Sequence, residues 1–122
     1  MGYTYVESEI IGPTGTSAPV RLLVDTGALF TLIPEPVWRE AGLTAERIRK
    51  FVLADGTLIE RKIADCRIRL PQFGEYTTPV ILGESNDKAL LGVITLEVFG
   101  ITVDPSTGHL YELDVLPLMS VA

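Results

Sequence analysis

An aspartate at position 25, set between two apolar runs, is the residue of this chain best placed for chemistry. Val20-Arg21-Leu22-Leu23-Val24 leads into Asp25-Thr26-Gly27-Ala28, and Leu29-Phe30-Thr31-Leu32-Ile33 leads out. A carboxylate framed in this way is costly to bury unless a partner hydrogen-bonds it or shares its charge. Gly27 lets the backbone turn sharply or approach a neighbour closely, and Thr26 and Thr31 can hydrogen-bond locally. Such a mounting holds an acid rigidly enough for proton transfer. By itself Asp-Thr-Gly is also an ordinary turn between strands. The apolar flanks argue against that reading, because surface turns are seldom framed by apolar runs.

Other chemistries find little support. His109 is the single histidine and lies beside a turn, which leaves no metal site and no Ser or Cys triad, so it reads as a surface residue. No metal or cofactor is expected. Cys66, the only cysteine, falls in Cys66-Arg67-Ile68-Arg69-Leu70, where alternation sets it on the apolar face as a small core residue. A lone cysteine allows no intrachain disulfide, so a reducing, cytoplasmic setting is expected. Glu7, Glu9, Glu35, Glu40 and Glu46 are scattered and read as solvated, and Trp38 reads as a core anchor on a helix face. There is no glycine-rich phosphate loop. Net charge is -6, and the ten basic residues form no long run, which argues against a nucleic-acid partner. Met1 to Glu7 lacks the blocks of a signal peptide and the pattern for myristoylation, and the apolar stretch Ala89 to Ile101 is short and contains Glu97. No membrane partner is expected, and the protein is expected to be soluble.

The elements that must position Asp25 are short strands. At 122 residues the chain is expected to be one domain, residues 1–122, burying roughly two-thirds of its unfolded surface. Its 47% hydrophobic and 21% charged content is globular, and eight prolines with eleven glycines imply many turns. The pattern predicts a strand from Tyr3 to Ile11, a turn-rich stretch from Gly12 to Pro19, and strands over Val20 to Val24 and Leu29 to Ile33. A short helix follows over Glu35 to Gly42, with Pro36 in its first turn, and a second over Thr44 to about Arg49. Asp55-Gly56, between Phe51-Val52-Leu53-Ala54 and Thr57-Leu58-Ile59-Glu60, is the strongest hairpin signal. Strands are expected at Ile63 to Leu70 and Tyr76 to Leu82, a helix at Val93 to Phe99, and a last hairpin around Pro105-Ser106-Thr107-Gly108. Asp104-Pro105-Ser106-Thr107-Gly108 imitates the Asp25 loop but reads as that hairpin's turn.

Three of these features together resemble the retropepsin-like (retroviral-type, clan AA) aspartic proteases, the single-lobe class with viral, bacterial and cellular members. They are Asp25-Thr26-Gly27-Ala28, the hairpin tip Ala54-Asp55-Gly56-Thr57, and Leu90-Leu91-Gly92 running into a helix, in that order across roughly Val20 to Leu113. The acidic Asp55 is closer to bacterial and cellular relatives than to viral ones, whose tips are richer in glycine. The resemblance implies a mostly β, closed β-barrel-like acid-protease lobe with one or two short helices. It implies Asp25 as the catalytic acid on a loop of Thr26, Gly27 and Ala28, and Ala54 to Thr57 as a flap over substrate. Leu90, Leu91 and Gly92 would support the catalytic loop, and Leu29, Ile33, Leu53 and Val80 are the candidate pocket walls.

Aspartic protease chemistry needs two carboxyls facing one water, and the chain has one such loop. The resemblance therefore implies a homodimer with Asp25 of each chain on the two-fold axis, acting as an endopeptidase on a peptide or protein substrate. The alternative is a non-catalytic peptide-binding or dimerisation module on the same fold. Retention of the acid with Thr26, Gly27 and Ala28 favours the enzyme, because a binder has no need of it. Asp114 to Ala122 is apolar and without a motif, suited to a dimer-interface strand or a loose tail.

Overall fold

Two short segments of apolar residues, Leu90-Leu91 and the run that leaves the Asp25 loop, decide how this chain closes on itself. The structure, a computed structural model, describes residues 3–116; Met1, Gly2 and most of the apolar C-terminal stretch lie outside the described residues. The chain runs β1 (Tyr5–Ile11), β2 (Ser17–Val24), β3 (Thr31–Ile33), α1 (Glu35–Glu40), β4 (Arg47–Val52) and β5 (Leu58–Leu70), then β6 (Gly74–Leu82), β7 (Leu90–Leu91), α2 (Val93–Phe99), β8 (Ile101–Val103) and β9 (Leu110–Glu112). It is mostly β.

Seven strands form one sheet in the order β1-β2-β7-β3-β6-β5-β4, and β1 also pairs with β5. The pairings that start at β1 thus return to it. β7 makes this order possible. It lies parallel to β2, with Leu23 opposite Leu90 and Val24 opposite Leu91, and antiparallel to β3, with Leu32 opposite Leu90. The two strands that enter and leave the Asp25 loop are thereby held apart by a third. β8 and β9 make a separate hairpin, its Asp104–Gly108 segment a turn closed by Gly108 N–H on Asp104 C=O at 2.7 Å.

Alternation explains β5, a thirteen-residue strand that reads inside and outside in turn from Ala64 to Leu70. Its second half is a sheet strand between β6 and β1, and its first half extends with β4 as a hairpin. The core gathers Ile10, Leu22, Ile63, Ile68, Leu70 and Leu91, all fully buried, with Leu96 and Phe99 of α2. Each such side chain contributes about 1.5–3 kcal/mol by leaving water.

Several expected boundaries move. The helix expected from Thr44 to Arg49 is absent: Arg47–Val52 is a strand with six partners in β5, from Arg47 opposite Ile63 to Val52 opposite Leu58. An isolated helical turn is marginal, and the ladder against a long strand outweighs it. Ser17 to Pro19, expected in a turn, opens β2, while Leu29 and Phe30, expected in β3, belong to the bend after the Asp25 loop. The helix after Pro34 ends at Glu40, and Trp38 anchors it by donating Nε1–H to Gly83 C=O at 2.8 Å. Cys66 is buried as expected, and burial first, with Asp65 and Glu46 nearby, pushes its thiol up to about 12. His109 is exposed. No described helix is long and apolar enough to cross a membrane.

Candidate active site

Asp25 follows the last residue of β2, and its loop is fastened from both sides. Its backbone N–H donates to Leu91 C=O at 3.0 Å, and its C=O accepts from Ala28 N–H at 3.1 Å. The Gly27 N–H donates to Asp25 Oδ1 at 2.9 Å, which fixes the carboxyl's orientation. Beyond the loop, Val93 N–H donates to Ala28 C=O at 2.9 Å and Ile94 N–H to Leu29 C=O at 3.0 Å. The first turn of α2 thus spends its unpaired N–H groups on the loop's outgoing backbone. The carboxyl is not buried, as the apolar flanks implied it would be; Asp25 is half-buried and Thr26 and Gly27 are exposed. β2 and β3 carry the apolar residues inward and leave the loop between them at the surface.

Beneath the loop lies a chain of buried hydroxyls. Thr31 Oγ1 accepts from Gly92 N–H at 3.0 Å and meets Thr95 Oγ1 at 2.6 Å, and Thr95 meets Thr78 Oγ1 at 3.0 Å. These threonines are at most 1% exposed. They tie β3, β6, α2 and the Gly92 that follows β7 together at one point. The expected local role of Thr31 is thus met by partners distant in sequence. Thr78 and Thr95 carry no such signal in the sequence, because each lies in an apolar element where a β-branched residue fits anyway.

Gly92 could not be another residue here. A Cβ built on it would stand 2.5 Å from Phe30 C and O and 2.9 Å from Thr31 N, all backbone atoms. The Leu90-Leu91-Gly92 segment therefore lies against the chain leaving Asp25, with Leu91 fully buried and Leu90 half-buried.

The hairpin between β4 and β5 carries Ala54-Asp55-Gly56-Thr57 at its exposed tip. Gly56 N–H donates to Leu53 C=O at 2.9 Å, and Leu53 N–H to Thr57 C=O at 2.8 Å. Asp55 Oδ1 accepts from Thr57 N–H at 2.9 Å, and hydrogen bonds from Thr57, side chain before backbone, hold the Asp55 carboxyl below its ordinary 3.8. Gly56 adopts φ +89°, a conformation that side chains rarely take. Phe51 of this hairpin meets Phe30 edge-to-face at 5.6 Å between centroids, so the loop's exit and the end of β4 next to the tip are in contact.

Between loop and hairpin runs a cleft of about 620 Å³ whose apolar wall includes Leu29, Phe30, Leu32, Phe51, Leu53 and Ile59. Gly27 and Ala28 also border it. Of the expected pocket walls, Leu29 and Leu53 are there and largely exposed. Ile33 and Val80 are not: both are fully buried in the core, because β3 and β6 pair in parallel and turn these two side chains inward. A second cavity of about 700 Å³, polar and bordered by Glu35, Arg39 and Glu84, shares Arg61 and Asp87 with the cleft. Among the described residues no group of acids, His and Cys is arranged to hold a metal ion.

Comparison with solved structures places this geometry. The protease of simian foamy virus (mac), known from a solution structure, superposes with a TM-score of 0.54 at 18% identity, covering 77% of this chain and 92% of that one. A retropepsin-like aspartic protease from Rickettsia conorii superposes with the same TM-score, 0.54, at 22% identity, covering 84% of this chain and 85% of that one. The fold is thus retropepsin-like. No curated protein matches the chain in sequence. Residues 8–95, which run from β1 through the Asp25 loop and the hairpin into α2, match the model of the aspartyl protease family, and the chain belongs to that family.

Proposed function

We propose that the chain is an aspartic endopeptidase, with residues 1–122 as one catalytic domain, hydrolysing peptide bonds with a water activated between two Asp25 carboxyls of a homodimer. The observation that carries this reading is the placement of Asp25, half-buried and oriented by Gly27 N–H, beside an apolar cleft that continues to an Asp-Gly hairpin. One ionised carboxyl takes a proton from water while the other, protonated, polarises the scissile carbonyl. The water oxygen attacks the carbonyl carbon, and the proton taken up passes to the departing amine. Like charges at close range resist joint ionisation, so a shared proton is the form the pair adopts.

Each chain has one Asp-Thr-Gly loop, so a two-fold axis must supply the second. The loop's exposure leaves it accessible to a second copy, and the pairing of β1 with β5 is in keeping with a closed, barrel-like lobe. Ala54 to Thr57 would fold over an extended peptide as a flap, and exposed Leu29 and Leu53 suit apolar side chains. Leu90, Leu91 and Gly92 keep the loop in place. A cytoplasmic setting accords with the single Cys66.

The test is Asp25→Asn, nearly isosteric but unable to ionise. Peptide cleavage should fall about a thousand-fold or more, with circular dichroism and peptide binding preserved. Cleavage at the wild-type rate would remove Asp25 from the chemistry. If neither protein cleaves and both bind, the chain is a peptide-binding module on the same fold. Sedimentation showing a monomer that cleaves at every concentration would overturn the dimer.

A further inference from the structure

The seven arginines of this chain divide unevenly. Arg21, Arg39, Arg47, Arg67 and Arg69 each form an ion pair with a carboxylate. Among the described residues Arg49 and Arg61 form none, and these are the two arginines that border the cleft. They also stand directly opposite one another in the β4–β5 ladder. Like charges at opposed positions destabilise a sheet, and a chain of net charge -6 has acids enough to avoid the arrangement. Two residues before Arg49, Arg47 is satisfied by Asp65 at 3.5 Å and Glu46 at 3.8 Å.

The register fixes which face they occupy. Alternation puts Arg49 and Phe51 on one face of β4 and Arg61 and Ile59 on the matching face of β5, and Phe51 and Ile59 belong to the apolar wall of the cleft. The cations therefore continue that wall away from the tip. Arg61 is half-buried and uses one Nη1–H on Glu60 C=O at 2.9 Å, which steadies its guanidinium. Lys50 borders the cleft as well. The one carboxylate there, Asp87, is engaged through Oδ2 with Glu84 N–H at 2.7 Å. Arg49 and Arg61 thus face one committed acid at the end of an otherwise apolar trough.

We propose that Arg49 and Arg61 form an anionic-side-chain subsite, so that the preferred substrates carry a Glu or Asp flanking the apolar segment seated in the cleft. A guanidinium pair receives a carboxylate through charge-assisted, directional hydrogen bonds, which an amide of the same shape matches poorly. The bound acid would also relieve the repulsion between the two arginines. This inference rests on the reading of the cleft as a peptide-binding site.

The experiment uses the full chain and peptides with a fixed apolar centre, each flanking position carrying Glu, Gln or Lys in turn. Wild type should show kcat/KM roughly ten-fold higher for Glu than for Gln at one flanking position, and the ratio should shrink in high salt. In Arg49→Gln/Arg61→Gln the ratio should fall to about one, and Arg61→Glu should turn the preference toward Lys. Equal cleavage of Glu and Gln peptides by wild type at every position overturns the inference while leaving the protease reading intact. The same peptides are titrated in parallel against Asp25→Asn by fluorescence anisotropy. If no peptide is cleaved, the protease reading fails, and a Glu-over-Gln binding preference lost in the added double arginine variant still upholds the subsite. Equal binding of both peptides overturns it there as well.

Discussion

The backbone N–H of Gly92 donates to the Thr31 hydroxyl across 3.0 Å, joining two residues sixty-one positions apart directly beneath the Asp25 loop. The contact is as close as it is because Gly92 has no Cβ, and the strand leaving Asp25 occupies the space a Cβ would need. Position of the acid, identity of the glycine and the buried hydroxyls are therefore one arrangement. Disturbing any part of it should move the loop.

Gly92→Ala tests the close approach. The added methyl would meet the Phe30 carbonyl carbon and oxygen at 2.5 Å, and neither can yield without moving β3. The expected cost is about 3 kcal/mol, at the upper end for overpacking, read as a loss of denaturant midpoint in equilibrium unfolding. An unchanged midpoint would mean that the segment can shift freely and does not hold the loop.

Thr95→Val tests the hydroxyl chain. Valine keeps the shape of threonine but removes the group that meets both Thr31 and Thr78. Leaving buried hydroxyls short of a partner should cost about 2–4 kcal/mol. Thermal unfolding gives the size, and Thr95→Ser, which restores the hydroxyl, should recover most of it.

Gly56→Val addresses the hairpin tip. No atom lies within 4 Å of a Cβ at this position, so the penalty is confined to the backbone, held at φ +89°. A β-branched residue resists that conformation by about 1–3 kcal/mol, which the turn would relieve by changing shape. Peptide cleavage should fall at least ten-fold, while unfolding of the sheet changes little. Wild-type turnover in a folded Gly56→Val protein would make the hairpin a connector and nothing more.

Acid should loosen the same tip. The Thr57 hydrogen bonds hold the Asp55 carboxyl below its ordinary 3.8 in the folded chain. A group whose folded value is depressed lends stability that is fully present above the ordinary value and is lost as pH falls through the lowered one. The Thr57 amide should thus lose protection from hydrogen exchange below about pH 4. In Asp55→Asn, which accepts the same bond without titrating, protection should be independent of pH over that range.

Local physics made much of this chain legible in the sequence. The Asp55-Gly56 hairpin, the helix over Val93 to Phe99 and the burial of Cys66 follow from turn chemistry and short-range periodicity, and the structure has all three. The Asp25 loop could be picked out because a carboxylate between apolar runs is unusual at any position. What pairing at a distance decides was hidden. Arg47–Val52 became a strand only because β5 is long enough to pair with it, and Ile33 and Val80 left the cleft for the core because β3 and β6 lie in parallel register. The Thr31–Thr95–Thr78 chain likewise joins residues that no local pattern connects, and Arg49 faces Arg61 because β4 extends back to Arg47 where a helix was expected. Sequence periodicity says that a residue points to one side of its strand, and only the closing of the sheet says whether that side is core, cleft or solvent.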